Sequence, residues 1–325
     1  MIIGGIYMER IETLYGILNG ATDTSYHKNG KLRSCQLEEY NQIATPIGVF
    51  VPQYGEINTR TKFREAVSFY DTGEIKSIYL KEPTYIATTV GVIKGEFITF
   101  YKGGAIHRVF PLYGQISGYW SEEEEYKLAE KSRFKIGDIQ VDNKINSYCF
   151  YPSGHLKSLS LWGKEILTLQ LRKKNIAVRF GVAFYENGNI KSLEPYIPTL
   201  FKTPIGEIMA YSNAAIGIHG DTNSLVFDEE GRIKGITTVS TTIRIESYLY
   251  PEQIIAPRLV RSKLDSETWV ISPVSISFSK DQVMISDENA TYLFDKKAVK
   301  WQTTQTDFIE KRNECLSCEG CQSCV

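Results

Sequence analysis

Net charge is almost absent: 37 Lys and Arg against 38 Asp and Glu leave −1 over 325 residues. That balance excludes a general electrostatic pull toward nucleic acid or an anionic membrane. No apolar run approaches the ~20 residues that a membrane-spanning helix needs. The first ten residues, Met1 to Arg10, lack a basic segment followed by a long apolar core. They do not read as a secretory signal, and a cytoplasmic location is expected. No Walker loop, H-E-x-x-H, G-x-S-x-G or G-x-G-x-x-G occurs, and each of those spacings would carry a definite chemistry. The four His (His27, His107, His155, His219) are scattered. No nucleophile pairs with a base, so nothing supports an enzyme, although sheet-borne active sites often leave no linear motif.

Helix signals are also scarce. Ser121 to Lys127 offers an N-cap Ser, a capping-box Glu124 and acid in the first turn, and Thr306 to Arg312 could form a second short helix. The run Glu122–Glu125 otherwise reads as solvated surface. What the chain has in quantity is aromatic residues, 20 Tyr and 15 Phe within 12% aromatic content. That enrichment suits strands. Cys35 and Cys149 stand alone and read as small core residues.

One nine-residue pattern organises the chain. Phe184-Tyr185-Glu186-Asn187-Gly188-Asn189-Ile190-Lys191-Ser192 recurs at Tyr26–Ser34, Phe69–Ser77, Phe100–Arg108, Phe150–Ser158 and Phe227–Gly235. A Gly between two β-prone runs marks a tight turn, since Gly enters φ > 0 without steric cost. Two pairings are open. A two-residue Asn187-Gly188 loop would place Tyr185 opposite Ile190. A type I turn over Glu186-Asn187, with Gly188 as the left-handed bulge residue, would place Phe184 opposite Ile190. The Phe184 position is aromatic in all six copies, and the Ile190 position is always Leu or Ile. The Tyr185 position varies from Tyr to His27 and Asp228. Core positions should be uniformly apolar, so the bulged hairpin is favoured, with Tyr185 and Lys191 on the outer face.

A longer repeat lies above the hairpins. Gly30 to Gly188, Gly73 to Gly231, and Thr45-Pro46-Ile47-Gly48 to Thr203-Pro204-Ile205-Gly206 all share one gap-free offset of 158 residues. The expected organisation is a first β-repeat half over 1–160, a duplicated half over 161–304, and a Cys-rich tail over 305–325. Lone hairpins are unstable in water. Stacked, they should give a mainly β fold: tandem antiparallel hairpins in an extended twisted sheet or sandwich, with little helix.

The pattern Phe-Tyr-x-Asn-Gly-x-Ile-Lys-Ser resembles the MORN-variant repeats of bacterial proteins, including antitoxin-like components. Gly114-Gln115-Ile116-Ser117-Gly118-Tyr119-Trp120 has a similar style. The resemblance covers about six short segments and implies a β-hairpin array, often with a binding or scaffolding role.

Two features could carry chemistry. Cys315, Cys318, Cys321 and Cys324 form three successive C-x-x-C steps. Thiolates so spaced can converge on one ion or cluster. The first three fit a 4Fe–4S motif, but the fourth comes one residue early and no Pro follows. Zn2+ is the close alternative; a reduced thiol-rich tail or disulfides are others. The second feature is the outer face of the hairpins. Lys76, Lys157, Lys191 and Lys234 occupy equivalent positions, with Arg33 and His107 in the other copies, and Tyr70, Tyr101, Tyr151 and Tyr185 share that face. They could stack bases or sugars. With so little net charge, Lys stems lying over Tyr rings on a solvated face are the expectation instead.

The resulting expectation is a non-enzymatic β-repeat scaffold or binding protein with a four-Cys metal or iron–sulfur site, whose partner is another protein. A redox protein built around the tail cluster and an antitoxin-like protein binding through its sheet are the alternatives.

Overall fold

The structure is a computed structural model. It describes residues 2–3, 6–7, 9–56, 58–61, 65–171, 174–213, 215, 223–247, 251–262 and 267–306. The chain divides into two compact units, Met1–Leu167 and the chain from Thr168 onward, with the turn residues Glu186–Gly188 assigned to the first.

The first unit contains β1 (Ile2–Ile3), β2 (Ile6–Tyr7), β3 (Glu9–Thr13), β4 (Gly16–Tyr26), β5 (Leu32–Leu37), β6 (Ile43–Thr45), β7 (Gly48–Phe50), β8 (Val67–Phe69), β9 (Ile75–Thr88), β10 (Gly91–Phe100) and β11 (Ile106–Phe110). Then come α1 (Glu122–Leu128), β12 (Lys131–Ile136), β13 (Ile139–Phe150) and β14 (Leu156–Leu161). Its main sheet is an antiparallel ladder, β3-β4-β5-β8-β9-β10-β11-β13-β14, with β12 on the far half of β13. Helix α1 is the only α-helix among the described residues. Its capping box, Ser121 with Glu124, forms as its sequence suggests.

From the second unit onward the strands are β15 (Leu167–Leu171), β16 (Lys174–Phe184), β17 (Ile190–Pro195), β18 (Thr199–Thr203), β19 (Gly206–Ala210), β20 (Leu225–Phe227) and β21 (Ile233–Thr238). They continue as β22 (Thr241–Glu246), β23 (Gln253–Ile255), β24 (Arg258–Arg261), β25 (Trp269–Ser272), β26 (Val274–Phe278), β27 (Gln282–Ser286), β28 (Thr291–Asp295) and β29 (Lys300–Gln305). The main sheet runs β16-β17-β20-β21-β26-β27-β28. Smaller sheets are β18-β19, β23-β22-β29 and β24-β25. The fold is thus mainly β and built of antiparallel hairpins. Strands β3, β4, β5 and β8 return, 158 residues on, as β15, β16, β17 and β20. The correspondence is lost after β22.

The hairpin turn is the bulged form. In the Phe69 copy the Gly73 N–H donates to the Tyr70 carbonyl at 2.9 Å, and the Tyr70 N–H donates to the Glu74 carbonyl at 2.8 Å. Gly73 sits at φ 90°, and Gly188, in the copy that organises the second unit, at φ 84°. Phe69 accordingly faces Ile75, and Phe184 faces Ile190.

A second irregularity recurs in every copy. Register shifts between Ser25 and Tyr26, Ser68 and Phe69, Thr99 and Phe100, Cys149 and Phe150, Ala183 and Phe184, and Val226 and Phe227. The extra residue on the opposing strand is Arg33, Lys76, His107, Lys157, Lys191 or Lys234. Each copy therefore carries a bulge at its basic residue, which sharpens the local twist. The bulge also explains the apolar spacing: Ile75 and Ile78 are three apart, yet both are fully buried. Strict alternation would send them to opposite faces. The extra residue restores them to one.

This register aligns the core across strands. In the first unit Cys35, Val67, Ile78, Ile98, Val109, Tyr148 and Leu159 stand side by side, each 0% exposed. Val182, Leu193, Leu225, Ile236, Ile276 and Ile285 form the matching buried row in the second. Such cross-strand pairs are the unit of sheet stabilisation.

Opposite ends of the strands carry a different turn. Thr13, Thr45, Thr88 and Thr203 each donate a hydroxyl to the carbonyl of Gly16, Gly48, Gly91 and Gly206, at 2.7–2.9 Å. Each hydroxyl also accepts the N–H two residues on. A Thr-x-x-Gly spacing is visible in the sequence at all four places, but only the pair beginning Thr45 and Thr203 stands out there, because those two are duplicates.

Candidate functional site on the outer face of the hairpins

The bulge lifts each basic residue onto the outer face, and the Tyr position lies beside it. Lys191 Nζ lies 5.8 Å from the centre of the Tyr185 ring, and Lys157 Nζ lies 5.9 Å from that of Tyr151. Tyr70 is instead covered by Lys102 at 5.4 Å. Tyr101 packs against His107, with ring centres 4.5 Å apart. Lys76 and Lys234 are exposed. The surface is thus basic stems over aromatic rings.

The tyrosine hydroxyls point inward along the sheet. Tyr70 donates to the Phe100 carbonyl at 2.7 Å, Tyr101 to Phe150 at 2.9 Å and Tyr185 to Phe227 at 2.8 Å. The His27 Nε2 meets the Phe69 carbonyl at 3.0 Å in the same way. Each acceptor is the core aromatic of the next hairpin. At four of the six copies the position that looks variable in sequence therefore holds a side chain that staples one repeat to the next, and those four share a ring and a polar tip; Asp228 instead bonds Arg232 within its own turn. Tyr26 differs from the other core aromatics: it is 48% exposed, and its hydroxyl donates to Glu9 at 2.8 Å.

Between the first two hairpins the outer face sinks into a hollow of about 290 Å³, lined by His27, Arg33, Glu65, Ser68, Phe69, Tyr70, Asp71 and Lys76. Two of its charges are engaged: Glu65 accepts the Ser34 hydroxyl at 2.7 Å, and Asp71 pairs with Lys102 at 3.0 Å. That bond and the Lys102 charge hold the Asp71 carboxyl below its ordinary range. Cys35 lies beneath, fully buried. Burial, with the Glu65 charge second, pushes its thiol up to about 12, so it is a packing residue and not a nucleophile. Cys149 is likewise buried and free.

Sequence reasoning missed a buried ionic cluster. Arg60 bonds both carboxylate oxygens of Glu96, at 2.5 and 2.6 Å, and both of Glu125, at 2.8 and 2.7 Å. Glu96 also accepts the Tyr113 N–H. Glu125 also accepts the Gly114 N–H and the Trp120 indole N–H. Glu125 is only 1% exposed, which corrects the reading of Glu122–Glu125 as a solvated run. The other three residues of the run are exposed. One face of the short helix turns Glu125 inward because Arg60 and the N–H groups of Gly114 and Trp120 are there to meet it. Periodicity could not show this, since Arg60 lies 65 residues upstream. The second unit has its own buried carboxylate, Glu194, which accepts the Ser212 and Ser224 N–H groups at 2.9 and 2.7 Å with Arg179 at 3.5 Å.

Cys315, Cys318, Cys321 and Cys324, and the helix suggested from Thr306 to Arg312 beyond its first residue, lie outside the described residues. Among the described residues no group of three or more His, Cys, Asp or Glu is placed to hold a metal ion. None of their helices is long and apolar enough to cross a membrane. The segment Gly114–Trp120 forms a turn closed by a Ser117–Trp120 bridge, not a further hairpin of the repeat.

Residues 182–197 match the family model described as MORN repeat variant. That match covers the hairpin of Phe184 and Ile190, so the repeats of this chain are MORN-like. No curated protein and no solved structure matches the chain.

Proposed function

We propose that the protein is a non-enzymatic binding scaffold that engages another protein, and that its C-terminal four-Cys segment supplies a metal or iron–sulfur site. The observation that carries the binding role is the hollow on the first unit. Arg33 and Lys76 stand exposed at its rim, on hairpins locked together by the His27 and Tyr70 bonds. Rigid repeats presenting charged side chains at fixed spacing suit recognition, because little side-chain or backbone freedom is lost on binding. The MORN-like character of the repeats agrees with this role. An antitoxin-like, cytoplasmic protein of bacterial type is one form of it.

The test is quantitative affinity capture with Arg33→Glu/Lys76→Glu beside the wild-type chain. Loss of a stoichiometric partner in the variant, with an unchanged far-ultraviolet spectrum, is expected. Equal capture by both proteins would refute the assignment of the hollow. The tail is tested separately by metal analysis and visible absorption of anaerobically purified protein. An iron–sulfur band lost in Cys318→Ser and Cys321→Ser would favour the cluster and the redox role. Stoichiometric zinc would favour a structural site, and no metal under any condition would remove both.

A further inference from the structure

A groove in the first unit has strand edges for walls. It is lined by Val92, Ile93 and Lys94 of β10 and by Glu130 to Phe134 at and within β12, with Tyr85, Pro111, Leu112 and Leu128 completing it, and encloses about 220 Å³. Successive residues of a strand point to opposite faces. A run of consecutive residues can line one hollow only if the strand turns its edge to it. Both walls show such runs.

The pairing agrees. Strand β10 bonds β9 along its length, but β11 covers its other edge only from Phe97 to Phe100. Strand β12 bonds β13 over Lys131–Ile136. Among the described residues no strand pairs with the second edge of β12 or with that edge of β10 from Gly91 to Gly95. The two-residue loop Gly137-Asp138 makes Ile136 and Ile139 the closing, hydrogen-bonded pair of the β12–β13 hairpin. Alternation then turns the N–H and C=O groups of Lys131, Arg133 and Lys135 away from β13.

Both walls are braced. Glu96, the residue at the β10 bulge, and Glu125 of α1, which leads into β12, are held by the same Arg60 guanidinium. Lys94 and Glu130 join across the groove at 2.8 Å. Tyr85 and Val92 stand 71% and 69% exposed beside it, with Leu128 at 50%.

We propose that this groove binds an extended, acidic segment of a partner protein, which adds a strand between the open edges of β10 and β12. This rests on the scaffold reading above and names the site and partner chemistry. The charge selects the occupant. Lys94, Lys131 and Arg133 line the groove; Lys94 pairs with Glu130 and Arg133 with Asp142, so the three cations exceed the carboxylates they meet by one, the charge of Lys131. Edge lysines commonly serve only to stop sheets joining edge to edge. Here they would repel a second copy of this same edge while attracting an acidic strand. Main-chain bonds would give affinity, and Tyr85, Val92 and Leu128 would contact its apolar side chains, as in other strand-addition complexes.

The test uses the full chain and a labelled ten-residue peptide of alternating Glu and Val, with a Lys–Val peptide as control. Saturable fluorescence anisotropy is expected for the acidic peptide, at least tenfold weaker in Lys131→Glu/Arg133→Glu. Arg133→Pro deletes an outward N–H while sparing the β12–β13 bonds, and should weaken binding without changing the far-ultraviolet spectrum. Amide exchange should slow at residues 91–95 and 131–136 on binding. Equal binding by the charge-reversed chain, tighter binding of the Lys–Val peptide, or no binding overturns the inference. Protection confined to residues 27–34 and 65–77 would also overturn it while leaving the scaffold role intact, which the Arg33 and Lys76 capture experiment decides independently.

Discussion

Arg60 is the residue whose removal tests the physical account most sharply. It neutralises two carboxylates whose side chains are 5% and 2% exposed, while its own is 15% exposed. In Arg60→Met the volume is roughly kept, but Glu96 and Glu125 face each other without a counter-charge. Stripping one partner from a buried ion pair costs ~3–5 kcal/mol. Two pairs share this guanidinium, so the upper part of that range is expected. For a unit of this size each kcal/mol lowers Tm by about 2–4 °C, which gives a fall of roughly 10–20 °C. Thermal unfolding followed by tryptophan fluorescence reads it directly, since the Trp120 indole donates to Glu125 at 2.7 Å.

The pH dependence supplies the stricter check. Burial would raise the Glu125 carboxyl, but the bonds from Arg60, Trp120 and Gly114 outweigh it and hold the group below its ordinary 4.5. A depressed carboxyl stabilises the wild-type fold fully above its unfolded value, and that contribution is lost as pH falls through the folded one. In Arg60→Met the Glu125 carboxyl is buried without a cation, so its folded value rises above the unfolded one. The variant is then penalised at neutral pH and relieved on acidification. The gap between the two proteins should narrow from pH 7 toward pH 5. A gap below about 1 kcal/mol at pH 7, or one that widens on acidification, would refute the reasoning.

Other substitutions probe the repeat itself. Gly188→Ala places a side chain at φ 84° with open space around it, so conformational strain alone should cost about 1–2 kcal/mol in chemical denaturation; Gly188→Asn should cost less. Tyr101→Phe removes the staple to the Phe150 carbonyl and should lower stability by about 1 kcal/mol, with the ring still packed on His107. Phe100→Ala opens a cavity at a side chain 1% exposed and should cost about 3–5 kcal/mol, seen as a lower denaturant midpoint. Cys35, with its thiol near 12, is only about 10⁻⁴ thiolate at pH 8. Mass spectrometry after brief alkylation should find it unmodified in the folded chain and modified in urea; labelling in the native state would contradict its burial.

The sequence alone determined the repeating unit. Six aromatic–Gly–aliphatic segments located the six bulged hairpins, because a turn Gly and an aromatic–aliphatic pair are local requirements of that turn; the hairpins that close at the opposite strand ends carry no such pattern. The offset of 158 residues showed which strands are copies of which, and Ser121 with Glu124 marked the short helix. Only the tertiary structure decided the rest. The second bulge follows from register, which depends on which neighbour a strand meets, although the three-residue spacing of Ile75 and Ile78 hints at it. The tyrosines looked outward-facing when the hairpin was considered alone. Their hydroxyls became staples once the next hairpin offered the carbonyl of its core aromatic. Glu125 looked solvated within its acidic run until Arg60, 65 residues away in the chain, came to lie against it. The groove beside β10 and β12 is equally non-local, since an unpaired edge is a property of the neighbours a strand lacks.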